Sequence, residues 1–367
     1  MSNRRTFLKH TTARAAVAGA LAAPMVARAQ TPEIKWKLTS SFPKTLDTLY
    51  GAAETLARRV AAITNNKFQI RVFAGNEIVP PFQVADAVGD GTVACGHTCS
   101  YYYTGKHPAF AFGTSMPFGL NARQQSAWWY RGGGDKLLND FYRQYGFIAF
   151  PGGNTGAQMG GWFRKEIKNL ADVKGLKMRI PGFGARVFQA LGAVPQTIPG
   201  AEIYSALERG TVDAAEWVGP YDDEKLGLVR IAKFYYYPGW WEPGPMTHFF
   251  VNQKAWDALP AEYKAAFEAA AFEADLTMMA DYDIKNPAAM QRLVRSGAQL
   301  RSYPSDVMRA AYAAAQAIYA EEAAKDAQFK KIYDEWNKML LDEQRWFRVA
   351  EASLDNFRPA TAAPTKR

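Results

Sequence analysis

The sequence predicts an α/β protein made of two βαβ-type domains, with strands that cross between them and long helices at the carboxyl end. Three observations lead there. Alternating apolar segments and amphipathic segments take turns from Ile34 to Gly96, the pattern repeats through the middle of the chain, and the last third is dense in alanine with few breakers. At 367 residues the chain is long enough for two domains, and 48% apolar with 14% aromatic residues is the composition of a globular protein with a core.

The amino terminus is set apart first. Asn3-Arg4-Arg5-Thr6-Phe7-Leu8-Lys9 is a twin-arginine pattern, Ala15 to Met25 is an apolar run too short to span a bilayer, and Ala27-Arg28-Ala29 is a small-x-small cleavage site. Residues 1–29 are therefore expected to be a signal peptide, cleaved after Ala29, with export to the periplasm by the twin-arginine route. The segment holds Arg4, Arg5, Lys9, Arg14 and Arg28 and no acid, so the formal charge falls from +9 to about +4 for the mature chain. That balance gives no argument for a nucleic-acid partner. No later window is apolar enough for a membrane span, so the mature protein is expected to be soluble.

The mature chain opens with a strand, Ile34 to Ser40, in which Ile34, Trp36 and Leu38 alternate with polar residues. A helix follows from about Thr48 to Ile63, with Leu49, Ala53, Leu56, Val60 and Ile63 on one stripe. Phe68, Ile70 and Val72 mark a second strand. Pro80-Pro81 breaks the chain before a helical turn around Val84 to Val88, and Gly91 to Gly96 reads as a third strand. This order is that of a parallel sheet.

A second sheet is expected from Phe147 to Phe150, Gly161 to Phe163, Lys177 to Ile180 and Val212 to Trp217, with helices at Val187 to Leu191 and Glu202 to Glu208. A strand pair, Phe234 to Pro238 and Phe249 to Val251, would cross back toward the first domain. From Lys254 onward the chain reads as almost wholly helical, interrupted at Pro260, Pro287 and Pro304. In the last helix Tyr333, Leu340, Phe347 and Leu354 recur every seven residues, flanked by Trp336, Ala350 and Phe357.

Cys95 and Cys99 are the only cysteines. A strand would hold them too far apart for a disulfide, and with His97 they supply too few ligands for a closed zinc site. Small core residues, a strained or regulatory disulfide and a metal site stay open in that order.

The most informative stretch runs from Leu170 to Trp217. It reads Leu-Ala-Asp-Val-Lys-Gly-Leu-Lys-Met-Arg-Ile-Pro-Gly from Leu170 to Gly182, Leu-Gly-Ala-Val-Pro-Gln-Thr-Ile-Pro from Leu191 to Pro199, and Tyr-Ser-Ala-Leu-Glu-Arg-Gly-Thr-Val-Asp-Ala-Ala-Glu-Trp from Tyr204 to Trp217. Leu176, Met178 and Ile180 alternate with Lys177, Arg179 and Pro181, which places Arg179 near the end of a strand, where open α/β sheets form their ligand crevice. A guanidinium matches a carboxylate bidentately, so Arg179 either clamps an acid ligand or pairs with a structural Asp or Glu.

At these residues the chain resembles the extracytoplasmic solute-binding subunits of tripartite ATP-independent periplasmic (TRAP) transporters, and among them those that bind 2-oxo acids and lactate. The resemblance runs from about Ile34 to Phe357, with its specific motifs between Asn154 and Glu242. It implies a bilobed periplasmic solute-binding fold. Lobe I would take residues 30–153 with about 245–285, and lobe II 154–244 with about 286–325. Residues 326–357 would form a long carboxy-terminal helix able to mediate a swapped homodimer, and 358–367 a tail. It also implies Arg179 as the carboxylate clamp, and TRAP membrane permease subunits as the partner.

Four segments are candidates to meet at the crevice: Asn154-Thr-Gly-Ala-Gln158, Glu216-Trp217, Trp240-Trp241-Glu242-Pro243, and Tyr101-Tyr102-Tyr103 at the end of the first sheet's last strand. Two carboxylates with an amide and a carbonyl make an oxygen-only shell suited to a hard cation. The resemblance implies that use: Gln158, Glu216, the Trp217 carbonyl and Glu242 around sodium or calcium, with the small organic acid anion bridging the cation to Arg179. Asn154, Gln158, Tyr101, Trp217 and Trp241 are the remaining substrate-binding candidates, and the Trp217 indole implies small acids rather than sugar acids. Glu216 and Glu242 as structural acids leave the alternative of an acid-binding protein without a cation. A periplasmic hydrolase or lyase would use the same pair as general acid and base. Against it, the mature chain has only His97, His107 and His248, with no G-x-S-x-G, H-E-x-x-H or C-x-x-C pattern.

Overall fold

The computed structural model describes residues 32–361, so the signal-peptide expectation for residues 1–29 and the last residues of the tail lie outside the described residues. Eleven strands are found among them: β1 Ile34–Ser40, β2 Phe68–Phe73, β3 Cys95–Thr98, β4 Phe147–Asn154, β5 Trp162–Phe163, β6 Lys177–Arg179, β7 Val194–Gln196, β8 Ala214–Ala215, β9 Phe234–Tyr237, β10 Met246–Asn252 and β11 Gln299–Ser302. They form two sheets, one in the order β2-β1-β3-β10-β4 and one in the order β11-β9-β5-β8-β6-β7.

The first sheet is parallel through β2, β1 and β3, as the βαβ pattern predicts, and antiparallel where β10 inserts between β3 and β4. Its crossover helix, Asp47–Ile63, buries Leu49, Ala53, Leu56 and Val60. Ile63, expected on that stripe, is instead 47% exposed because it ends the helix. Four further expectations are corrected. The third strand is not Gly91 to Gly96 but Cys95–Thr98, whose four residues are all buried and so show no polar alternation. Phe147 to Phe150 belongs to the first sheet, and β4 continues through Pro151-Gly152-Gly153 with a register shift opposite Thr247 and His248. Of the expected crossing pair, Met246–Asn252 enters the first sheet while Phe234–Tyr237 stays in the second. The region after Lys254 is not all helix, because β11 pairs in parallel with β9 as an edge strand.

The helix Ala261–Arg295 packs on the Asp47–Ile63 helix, on β4 and on the Pro220–Lys225 helix that follows β8. The expected single helix over 326–357 is two, Ala327–Val349 and Glu351–Thr361, so residues 358–361 are helical rather than tail. Trp336 and Leu340 of its stripe are buried against Phe112 and neighbouring core residues, whereas Leu354 is exposed. No helix among the described residues is long and apolar enough to cross a membrane.

Candidate functional site

Arg179 ends β6, and β8 lies beside it in parallel register, with Arg179 opposite Ala215. Glu216 is the next residue along, and its backbone amide donates to the Arg179 carbonyl at 3.2 Å. Adjacent parallel strands thus bring together side chains 37 positions apart. The Arg179 Nη1 donates to the Glu216 carboxylate and, at 3.1 Å, to the Glu216 carbonyl, and its Nε donates to the Ile198 carbonyl at 2.9 Å. Nη2 is buried without a partner. The alternative that Arg179 pairs with an acid is therefore present in this structure, and the acid is one of the expected cation ligands. The guanidinium stands 5.0 Å from the Trp217 ring centroid, a cation–π contact that holds its plane.

The segment Asn154 to Gln158 begins at the last residue of β4 and is tied to the turn that carries Glu242. The Gln158 amide donates to the Glu242 carbonyl at 3.1 Å, and Gly239 donates back to the Gln158 carbonyl at 2.9 Å. Gln158 Nε2 donates to Thr155, which leaves Oε1 buried and unpartnered. Asn154 is used differently from expectation: Nδ2 donates to the Gly244 carbonyl and Oδ1 accepts from Gly156, so its amide is consumed by the backbone of the two turns. It lies behind the cavity rather than on its wall.

The cavity is small, about 20 Å³, and is lined by Arg179, Gln158, Thr155 and Thr247 on its polar side and by Phe42, Leu49, Cys99, Tyr101, Tyr102, Trp217, Val218 and Pro245 elsewhere. Tyr101 sits in a short 3-10 turn, Ser100–Tyr103, after β3, which corrects the expectation that it closes the strand itself. Trp241 is 2% exposed and packs edge-on against Trp240 and Phe188, one layer out from the lining. Cys95 and Cys99 are free buried thiols. His97 Nε2 bonds Gly152 and Thr247 rather than facing the cysteines.

Glu216 and Glu242 are 0% and 3% exposed, and each keeps one carboxylate oxygen without a partner. Burial pushes the Glu216 carboxyl up to about 7, against the pull of Arg179. Burial likewise raises Glu242 well above the usual carboxylate range, and the repulsion of Glu216 adds to it. Two neighbouring acids so disfavoured as anions fit a cation, which would offset both charges and take the unpartnered oxygens. Among the described residues there is no group of three or more His, Cys, Asp and Glu able to hold a metal. A cation here would rest on two carboxylates plus neutral oxygens such as Gln158 Oε1 and the Trp217 carbonyl, a donor set for a hard ion.

Reasoning from sequence missed Phe42, Leu49, Cys99, Thr155, Tyr102, Val218, Pro245 and Thr247 as lining residues. Phe42 and Leu49 follow the carboxyl end of β1, where the crevice rule for α/β sheets applies and would have found them. Thr155 and Tyr102 lie inside segments already singled out. Nothing in the local pattern marks Thr247, which is one of seven residues of a nearly fully buried strand.

Three comparisons bear on this arrangement. The family model of the bacterial extracellular solute-binding proteins, family 7, matches residues 39–326. A monocarboxylate 2-oxoacid-binding periplasmic protein of Nostoc sp. is 55% identical over 326 residues, covering 89% of each chain. A TRAP transporter solute-binding protein from Bordetella bronchiseptica is 50% identical with a TM-score of 0.89, over 90% of this chain and 98% of that one. Its crystal structure is a mixed-occupancy dimer with copurified calcium and picolinate in one active site. A second, from Pseudoalteromonas atlantica with bound sodium and pyruvate, is 39% identical with a TM-score of 0.86, over 88% of this chain and 99% of that one.

Proposed function

The chain belongs to the bacterial extracellular solute-binding proteins of family 7, which serve transport and are not enzymes, and from that premise we propose that it captures a small monocarboxylate with a hard cation. The acid is a 2-oxo acid such as pyruvate, or lactate. Sodium and calcium are the favoured cations, since relatives hold one or the other beside pyruvate or picolinate.

One observation carries the reading. Arg179 Nη2 and Gln158 Oε1, on residues of the cavity wall, and Glu216 Oε2 and Glu242 Oε2, on the neighbouring acids just outside that lining, are all buried without hydrogen-bond partners. Unsatisfied buried polar atoms are costly, so four of them together point to a ligand that satisfies them. The cation takes the acid and amide oxygens with the Trp217 carbonyl. The ligand carboxylate bridges the cation to Nη2, and Tyr101 and Trp217 wall the remainder. Asn154 and Trp241 hold the turns in place from behind.

Capture proceeds by closure of two lobes, residues 30–153 with about 245–285 and residues 154–244 with about 286–325, around the acid. Burial of the site then strengthens every electrostatic contact in it. The closed form is delivered to a TRAP permease in the membrane, after twin-arginine export and removal of residues 1–29. Two copies associate through the carboxy-terminal helices, a reading supported by exposed Leu341, Trp346, Val349 and Leu354.

Calorimetric titration of the mature protein with pyruvate, lactate and branched 2-oxo acids tests this, before and after chelation and dialysis into sodium-free buffer. Tight binding that disappears with the ions and returns with calcium or sodium is expected. Binding indifferent to ions would leave an acid-binding protein without a cation and return Glu216 and Glu242 to structural roles.

A further inference from the structure

The polar groups of the cavity are almost fully enclosed, with Arg179 at 1% and Gln158 at 7% exposure. A solute larger than water therefore reaches them only when the walls part. One wall residue, Leu49, lies on the Asp47–Ile63 helix of the first sheet, and another, Val218, lies between β8 and the Pro220–Lys225 helix of the second. Across this seam, two residues from Leu49 and three from Val218, the same two helices are tied directly. Lys225 Nζ pairs with Asp47 Oδ1 and donates to the Thr45 carbonyl at 3.3 Å. The Tyr221 hydroxyl donates to Asp47 Oδ2 at 3.1 Å, so both oxygens of that carboxylate are engaged by the opposite helix.

The tie is braced on its far side. Lys225 and Lys285 stand 4.5 Å and 5.1 Å from the Tyr221 ring centroid, and the Tyr221 amide donates to Asn286 at 3.0 Å. Lys285 also donates to Thr48 on the first-sheet helix at 3.0 Å. The long helix Ala261–Arg295 thus presents Tyr221 to Asp47 in one orientation.

We propose that Asp47, Tyr221 and Lys225 form a latch beside the cavity, close in sequence to its wall residues Leu49 and Val218, that sets how long the captured acid stays, touching neither acid nor cation. The proposal rests on the reading of the chain as a solute-binding protein that closes on its ligand. The Asp47 side chain is 51% and the Lys225 side chain 29% exposed. Such a pair is individually weak and screened by salt, which suits a clasp that must release. Positioning by these three residues acts on dissociation, because they meet only once the walls have come together.

Stopped-flow fluorescence of the full mature chain with pyruvate in calcium buffer is the test. Asp47→Ala and Lys225→Ala are each expected to raise the dissociation rate about two- to fivefold, the scale of one exposed pair, with the association rate unchanged. The effect of the double variant is expected to fall short of the product of the two single effects, because both remove the same Asp47–Lys225 contact. Wild-type dissociation should quicken with added salt and that of the variants should not. Unchanged dissociation in both single variants, or additive effects in the double, would overturn the latch. Should Ala at position 47 unfold the chain, Asp47→Asn keeps the shape and reads the same contact. If wild type gives no pyruvate signal, the 2-oxo acid reading fails separately. Small-angle scattering of the ligand-free proteins then decides the latch: a wider distribution of sizes in Lys225→Ala supports it, and identical profiles overturn it.

Discussion

Arg179 is held by four protein contacts before any ligand is present, and this shapes what its replacement does. In Arg179→Ala the ligand loses charge-assisted bonds worth roughly 1.5–3 kcal/mol, about ten- to over a hundredfold in affinity. Glu216 also loses its cationic partner at 0% exposure, so the fold itself weakens by roughly 3–5 kcal/mol. Titration calorimetry beside thermal melting separates the two, and near wild-type affinity would remove Arg179 from ligand binding. Asp275 offers a second test at this scale. It is 6% exposed, its Oδ2 accepts from the Tyr130 hydroxyl at 3.1 Å, and burial pushes its carboxyl up to about 7 from an ordinary 3.8. Because the folded state holds the proton more tightly than the unfolded chain, stability is full below about 3.8 and falls as pH rises through about 7. Asp275→Asn is expected to melt like wild type near pH 4 and later than wild type at pH 8. A difference that does not vary with pH would count against the assignment. The strand-end position of Arg179 was legible in the sequence, while its pairing with Glu216 was not, because nothing local says that β8 lies beside β6.

The elements around the site depend on close backbone approaches that leave little room for a side chain. At Gly200, in the turn Gly200–Glu202, an added Cβ would fall 2.4–2.8 Å from atoms of the Trp217 ring, which itself walls the cavity. Gly200→Ala is therefore expected to push the indole toward the ligand, with an overpacking cost of about 1–3 kcal/mol in stability and a weaker fit for branched acids than for pyruvate. Equal losses for small and branched acids would argue that the ring moves elsewhere. The same crowding explains what the sequence concealed. The expected strand stops at Phe150, yet β4 runs on through Pro151-Gly152-Gly153 beside β10, and glycine is needed at 152 because a Cβ there would meet the backbone of His248 and Phe249 at 2.9–3.0 Å. By contrast β1, with Trp36 and Leu38 buried between exposed lysines, shows its alternation openly and is found within its expected bounds. The edge strand Gln299–Ser302, mostly exposed and short of apolar residues, carries too weak a pattern to distinguish from the ends of its flanking helices.

For the whole molecule the open question is what covers the carboxy-terminal helices. The break at Ala350 turns one expected helix into two, and the apolar residues on either side of it meet different surroundings. Trp336 and Leu340 pack into the core of their own chain, whereas Trp346, Val349 and Leu354 are 57%, 71% and 48% exposed. A row of large apolar side chains on an amphipathic helix is ordinarily buried by something, and a stable symmetric dimer buries roughly 1,200–2,000 Å² in all. All the candidate ligand groups lie within one chain, so association is not needed to complete the site. Sedimentation of the mature protein at micromolar concentration is accordingly expected to give the mass of two chains. Trp346→Asp combined with Val349→Asp should give that of one, with pyruvate binding retained. A single-chain mass for wild type would leave these residues without a second copy to cover them. A double variant that still sediments as a dimer would place the interface on another face, and loss of pyruvate binding on dissociation would mean that the partner supports the site after all.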